Sequence, residues 1–169
     1  MQIHAGRYKG RRIKTVKNAP YRPTTSLVRK SLFDILKNIS GKTLLDLFAG
    51  SGIIGFEALS RGAKTITFVD SSLRVNSLLK MNSIFFKEEE IIFIKNDVFK
   101  FLKNCDSYDF IFADPPYKFD NLNELIEQAI SRLNDNGVFV LESSLQEYSI
   151  SPYRVNEYGD SQLTFWKKN

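Results

Sequence analysis

Residues 44 to 55 read Leu44-Leu45-Asp46-Leu47-Phe48-Ala49-Gly50-Ser51-Gly52-Ile53-Ile54-Gly55, an apolar run that breaks into glycines and then resumes. The run predicts a buried strand, the glycines a tight turn, and the residues from Ile53 the start of a helix. In an open α/β sheet, ligands lie beyond the carboxyl ends of the strands, and glycine lets a ligand rest against bare backbone. The stretch is therefore a candidate binding loop, with Asp46 at its entrance and Phe48, Ala49, Gly50, Ser51 and Gly52 around its turn.

Outward from this loop, short apolar runs alternate with helical periods. Strands are expected at 43–48, 65–69, 91–94, 109–113 and 137–142, and helices at 53–61, 72–85, 98–103 and 122–133. The last helix puts Leu122, Leu125, Ile126, Ala129, Ile130 and Leu133 on one stripe. Such alternation is the pattern of parallel strands buried on both faces by crossover helices. The tail, 153–166, holds two β-like pieces around Tyr158-Gly159-Asp160, a hairpin-type turn expected to close the sheet with an antiparallel pair.

Upstream, apolar residues recur at Val28, Leu32, Ile35 or Leu36, and Ile39, predicting a helix with Thr24 or Thr25 as N-cap, Gly41 as stop and a basic exposed face. Residues 1–16 alternate weakly and predict a short basic two-stranded ribbon turning at Lys9-Gly10 and carrying Arg7, Arg11 and Arg12. Glu88-Glu89-Glu90 reads as a solvated turn before the third strand.

At 169 residues the chain fits one domain, 1–169, and 43% hydrophobic with 25% charged residues is an ordinary globular composition. Cys105 is its only cysteine and His4 its only histidine, so neither a disulfide framework nor a cluster of soft metal ligands can be built, and no metal is expected. Residues 1–17 are basic without an apolar leader, and no apolar run approaches the roughly 18 residues of a membrane span, so a cytoplasmic monomer is expected.

The charge is unevenly divided. Residues 1–42 carry eleven Lys or Arg against a single acid, Asp34, a balance of +10, whereas the remainder carries 13 basic and 18 acidic residues, a balance of −5. A basic extension (1–42) on an acidic α/β core (43–169) suits contact with phosphates, since each neutralised phosphate releases condensed counterions. Arg7, Lys9, Arg11, Arg12, Arg22 and Arg29, with Thr24 and Thr25 beside them, are the candidate phosphate contacts.

Gly50-x-Gly52-x-x-Gly55 also satisfies a dinucleotide fingerprint, and Asp70 ends the next strand where a ribose-binding acid belongs. Spacing alone leaves two ligands open, NAD and S-adenosylmethionine. Asp46 favours the second: a carboxylate at the loop's entrance repels a pyrophosphate but attracts an ammonium or sulfonium. After the third strand, Asn96-Asp97 can hydrogen-bond an adenine amine and ring nitrogen, with Ser71 and Val98 beside the same ligand; Asp97 is equally suited to cap the helix from Val98.

A second constellation, Asp114-Pro115-Pro116-Tyr117, ends the strand at 109–113. Prolines fix their own φ and restrict the preceding residue, so the Asp114 carboxylate, the Pro115 carbonyl and the Tyr117 ring are held in preset directions. An exocyclic base amine is a poor nucleophile because its lone pair is delocalised. Two fixed acceptors can hold its two N–H groups while nitrogen faces a methyl carbon, and they stabilise the positive charge that develops on attack. Tyr117 offers a stacking surface, worth about 1–3 kcal/mol, against the expense of unstacking the target base.

Phe48-Ala49-Gly50-Ser51-Gly52, Glu57-Ala58-Leu59-Ser60-Arg61-Gly62-Ala63 and Asp114-Pro115-Pro116-Tyr117 resemble the bacterial 16S ribosomal RNA guanine-966 N2-methyltransferase family, as do Gly6-x-x-x-Gly10-Arg11 and Arg22-Pro23-Thr24-Thr25-x-x-Val28-Arg29. The glycine loop and D-P-P-Y box are shared by many amino-methyltransferases; the two N-terminal segments are narrower. The resemblance implies a Rossmann-like class I methyltransferase fold with a mostly parallel seven-stranded sheet. It implies S-adenosylmethionine as donor and a guanine of 16S ribosomal RNA as acceptor, within the small ribosomal subunit or its assembly intermediate. It places Asp46, Gly50, Gly52, Asp70 and Asp97 at the cofactor and residues 114–117 at the base. The family pattern after the second strand is Glu-x-Asp, and this chain has Asp70-Ser71-Ser72 instead. Rival readings are a DNA adenine-N6 methyltransferase, for which the chain lacks an obvious DNA-reading module, an NAD-dependent oxidoreductase, which leaves residues 114–117 unexplained, and a non-catalytic RNA-binding assembly factor, which the intact pocket residues disfavour.

Overall fold

The computed structural model describes residues 1–15 and 24–168. Seven strands, β1 (Thr43–Leu47), β2 (Thr65–Asp70), β3 (Glu90–Lys95), β4 (Tyr108–Ala113), β5 (Leu133–Ser144), β6 (Arg154–Tyr158) and β7 (Ser161–Lys167), form one sheet in the order β3-β2-β1-β4-β5-β7-β6. Strands β1 to β5 are parallel; β7 pairs antiparallel with β5, and β6 with β7. The helices are α1 (Ser26–Leu36), α2 (Ile53–Ser60), α3 (Leu73–Ser83), α4 (Val98–Asn104) and α5 (Leu122–Ser131).

Successive residues of a strand face opposite sides of the sheet, so a strand covered on both sides must be apolar throughout. Leu44, Ile66, Phe68, Phe110, Phe112 and Val140 meet α1, α2 and α3 through Phe33, Ile54, Phe56 and Leu79. On the other face Leu45, Leu47, Val69, Ile111, Phe139 and Leu141 meet Leu102 of α4 and Leu125, Ile126 and Ala129 of α5. Phe56 and Phe68 are fully buried with ring centroids 4.9 Å apart, and truncating either to alanine should cost about 3–5 kcal/mol. The order of strands reverses between β1 and β4, and a crevice at the carboxyl ends of these two strands is where such folds hold ligands.

Thr25 caps α1, its Oγ1 accepting from the Val28 N–H at 3.3 Å. The helix stops well before Gly41: Lys37 turns to φ 56° while its N–H still bonds the Phe33 carbonyl. Ile39 keeps the apolar spacing and is buried from outside the helix, which is why periodicity alone overran.

The N-terminal ribbon is smaller than expected, a single antiparallel bridge between Gln2 and Arg12 flanked by Ile3 N–H to Arg11 O and Ile13 N–H to Met1 O. Its turn is broader than Lys9-Gly10 because the chain is pinned to α2 at Gly6. There φ is 83°, and a side chain would put Cβ 1.7 Å from the Ser60 carbonyl oxygen. The acidic run before β3 is not a bare solvated turn either: Arg7 pairs with Glu88 and Glu89, and the Tyr8 hydroxyl bonds Glu89 at 3.0 Å.

Candidate active site

β1 delivers the chain to a turn in which Phe48, Gly50 and Gly52 all adopt positive φ (56°, 53° and 76°). Gly52 starts α2, and Gly55 lies so close to the sheet that a Cβ would sit 2.3 Å from the Phe68 ring. The first two glycines thus form the turn and the third seats the helix on the sheet. The Gly55 N–H donates to Asp46 Oδ2 at 3.1 Å. Asp46 is 2% exposed, and burial drives its pKa well above the ordinary carboxylate range; the Gly55 hydrogen bond opposes the rise and the Asp70 charge adds to it. A buried carboxylate served by this amide and facing another acid is electrostatically suited to a cationic ligand.

Asp70, at the end of β2, accepts from the Gly50 N–H (3.3 Å) and the Ser72 N–H (2.9 Å), tying the acid to the glycine turn. Ser72 caps α3 by accepting from Val75 N–H at 3.3 Å, at the position where the resemblance implies a second acid. Serine and aspartate cap about equally well, so the departure is structurally neutral at this position. Ser71 is exposed beside it. Asp97 caps α4, accepting from Lys100 N–H, while Asn96 Oδ1 accepts from the Asp97 N–H. Two of the expected cofactor residues have buried side chains. The Ser51 side chain is buried with its hydroxyl 3.5 Å from Met1 Sδ, and its carbonyl accepts from Asn82 Nδ2 at 3.3 Å. Val98, the first residue of α4, packs its side chain into the core, leaving its backbone as what it can present. Ala49, 8% exposed, donates its N–H to the Val69 carbonyl.

Asp114 follows β4 directly. Asp46 is registered opposite Phe112, and Phe112 opposite Val140. Two residues further along the same face stand Asp114 and Glu142, so three carboxylates share one side of three adjacent strands. Asp114 lies between the other two: burial, then Glu142, then Asp46 push its pKa well above the ordinary range. The glycine turn and the proline corner therefore open at one crevice. Aromatic contacts join them as well, since Phe119, just past the corner, lies edge-on to Phe48 (5.1 Å) and stacks on Phe99 of α4 (5.8 Å).

Beside Asp114, on the side away from the glycine turn, is a cavity of about 290 Å³ walled by Pro115, Pro116, Tyr117, Thr25, Glu142 and Tyr158 among others. That is the small end of the ligand-pocket range of about 300–1,000 Å³, fitting one base rather than a dinucleotide. Tyr117 is 62% exposed, its ring at the rim. Glu142, Phe119 and Phe99 were missed in the sequence. Glu142 could have been found by the rule applied to Asp46 and Asp70, an acid at the carboxyl end of an expected parallel strand.

The basic residues divide. Lys9, Arg11 and Arg12 are exposed, Arg11 lying over the Phe85 ring at 4.5 Å; Arg7 is exposed but paired with the acids before β3. Arg29 cannot touch RNA. It is 2% exposed, donates to the Gln2 carbonyl (2.9 Å) and to His4 Nε2 (2.6 Å), and lies 3.9 Å from Glu57. Thr24 is also buried, donating to Glu142 Oε2 at 2.9 Å, and Thr25 is occupied as the α1 cap. Arg22 lies outside the described residues.

A parallel-to-mixed seven-stranded sheet with a glycine loop, a carboxylate at the end of β2 and an acid-proline corner at the strand-order switch defines a class I methyltransferase. The chain belongs to the family described as Conserved hypothetical protein 95, whose sequence profile matches residues 1–167. Among relatives, it is 39% identical over 142 residues to ribosomal RNA small subunit methyltransferase D of Haemophilus influenzae, covering 80% of this chain and 72% of that one. It is 33% identical over 139 residues to the protein of the same name from Escherichia coli K12, covering 81% and 68%. Among solved structures, the protein yhhF from Escherichia coli superposes with a TM-score of 0.89 at 28% identity, over 100% of this chain and 98% of that chain.

Proposed function

We propose that the protein transfers the methyl group of S-adenosylmethionine to the exocyclic N2 amine of a guanine in 16S ribosomal RNA, met in the small ribosomal subunit or an assembly intermediate. The names of its relatives support the RNA class. The observation that carries the reading is the position of Asp114, flanked by Asp46 on the glycine-turn side and by a base-sized cavity on the other.

The residues fit the cofactor. Asp46 offers a buried carboxylate to the ammonium end of a methionine, Gly50 and Gly52 leave the turn's backbone bare, and Asp70 keeps lone pairs for ribose hydroxyls beyond the two amides it already accepts. Asn96 and Asp97 stand at the carboxyl end of β3 as the adenine side of the site. S-adenosylmethionine, when bound, supplies an electrophilic methyl group on a sulfonium.

The chain's own residues do the rest. Tyr117 stacks the extruded base, and Asp114 with the Pro115 carbonyl accepts its two amine hydrogens, which sets the nitrogen lone pair toward the cofactor. A carboxylate whose pKa is raised is also a stronger acceptor, so Asp114 stabilises the cationic amine formed on transfer. The cationic amine then hands its proton to solvent water after the methyl arrives, and no separate base is needed. Residues 1–42, working in a monomer, serve as the RNA-contacting extension through Lys9, Arg11 and Arg12.

Mass spectrometry of ribosomal RNA tests this. RNA from cells lacking the protein should miss one N2-methylguanine of 16S RNA, restored by the wild-type gene; an undiminished complement would overturn the assignment.

A further inference from the structure

Leu27 stands where two hollows meet. It walls the base-sized cavity beside Asp114, and it also walls an open cleft of about 680 Å³ between the N-terminal ribbon and α1, with Gln2, His4, Lys9, Lys30 and Arg61. Among the described residues, no other side chain is common to both. Leu27 is 66% exposed in the first turn of α1, whereas the stripe that seats this helix, Val28, Leu32 and Phe33, is buried. The fold therefore does not use the Leu27 side chain for packing. Tyr117, 62% exposed, walls the same cavity, so two large side chains at its mouth await cover.

The cleft differs from the cavity in charge. Lys30 follows Leu27 by three residues along one helix edge, and Lys9 approaches from the ribbon; both are exposed. Arg61 is held by Glu57 through Nε at 2.9 Å, and Asp34 is the one acid among the cleft's walls. On the cavity side, Ser31 bonds the Tyr158 hydroxyl, which keeps α1 against that wall. A flat pocket joined to a lysine-edged cleft matches a nucleotide strand, whose base is flat and whose adjoining phosphates are anionic. Drawing a base out of its stack leaves a gap between its neighbours, and apolar side chains serve as wedges at such steps.

We infer that Leu27 is the wedge over which the RNA strand bends. The target guanine enters the cavity, Leu27 takes the place it leaves, and the neighbouring phosphates run into the cleft against Lys9 and Lys30. The inference rests on the guanine-N2 reading above. Leu27 touches no reacting atom and is a positioning residue.

The test uses small ribosomal subunits from cells lacking the protein as substrate. Leu27→Ala should lower the saturating rate of methylation on the order of ten- to a hundredfold, with S-adenosylhomocysteine affinity and melting temperature as in wild type. Leu27→Met should recover most of that rate. Lys9→Gln combined with Lys30→Gln should instead raise KM and reduce the slope of log affinity against log salt by about 1.5, as for two lost phosphates. An unchanged saturating rate in Leu27→Ala overturns the inference, as does an unchanged salt slope in the lysine variant. A rate loss that comes with a lowered melting temperature, or that Leu27→Met does not recover, would give Leu27 a structural role and overturn it too. Wild-type protein that places no methyl group on guanine N2 in these subunits overturns the guanine-N2 reading itself, and the inference with it.

Discussion

Glu57 is the residue whose loss should be felt most strongly outside the crevice. It is fully buried on α2, accepts from the backbone N–H groups of His4 (2.7 Å) and Ala5 (3.1 Å), bonds Arg61 Nε at 2.9 Å and faces the Arg29 guanidinium at 3.9 Å. Glu57→Ala would leave the buried Arg29 cation without its counter-charge and strand two amides. Breaking a buried pair from one side costs about 3–5 kcal/mol. The stranded amides could add about 1–3 kcal/mol each, but Arg61, 21% exposed, can turn to water and the ribbon can loosen to hydrate the amides. A net loss near 4 kcal/mol is expected, a large part of a total stability of about 5–15 kcal/mol. For a domain of this size that corresponds to roughly 8–16 °C in melting temperature. Urea unfolding of Glu57→Ala, Arg29→Met and the double variant gives the numbers. The double variant should be less damaged than the sum of the singles by about 1–3 kcal/mol, because the orphaned charge is gone. A Glu57→Ala loss below about 1 kcal/mol, or strict additivity, would refute the claim that this acid holds the N-terminal ribbon to the core.

Three further expectations concern the crevice and the basic arm. Asp114→Ala should abolish methyl transfer with S-adenosylhomocysteine affinity largely kept; near-normal turnover would remove Asp114 from the chemistry. Asp46 has a folded-state pKa above its unfolded one, so between these values the folded chain holds the extra proton and stability falls as pH rises. Asp46→Asn should flatten that fall in unliganded protein, raise stability at neutral pH and weaken cofactor binding; a steeper pH dependence would contradict the burial argument. Replacing Arg11 and Arg12 by glutamine should weaken RNA association and make its salt dependence shallower by up to about one logarithmic unit per lost phosphate contact. An unchanged slope would mean that neither residue reaches a phosphate.

Most of the sheet was readable in advance because its signals are local. Strands buried on both faces are apolar throughout, and the β1 to α2 turn declares itself through glycines whose φ values the structure shows to be positive. Asp46, Asp70 and Asp114 were legible for the same reason, each sitting where a predicted strand ends. What escaped depends on contacts distant in sequence. Arg29 looks like a surface cation on a basic helix until residues 2–4 and Glu57 close over it. Arg7 finds its acids 81 residues away. Glu142 matters only because β5 lies beside β4, an adjacency that no spacing within the chain announces.

A crystal structure with S-adenosylhomocysteine would examine the shared crevice most directly. The sulfur should lie between the glycine turn and the Asp114-Pro115 corner, aimed so that a methyl carbon on it would stand about 3–3.5 Å from an amine held by Asp114. A sulfur lying away from Asp114, or a ligand bound only in the cavity beyond it, would contradict the proposed reaction.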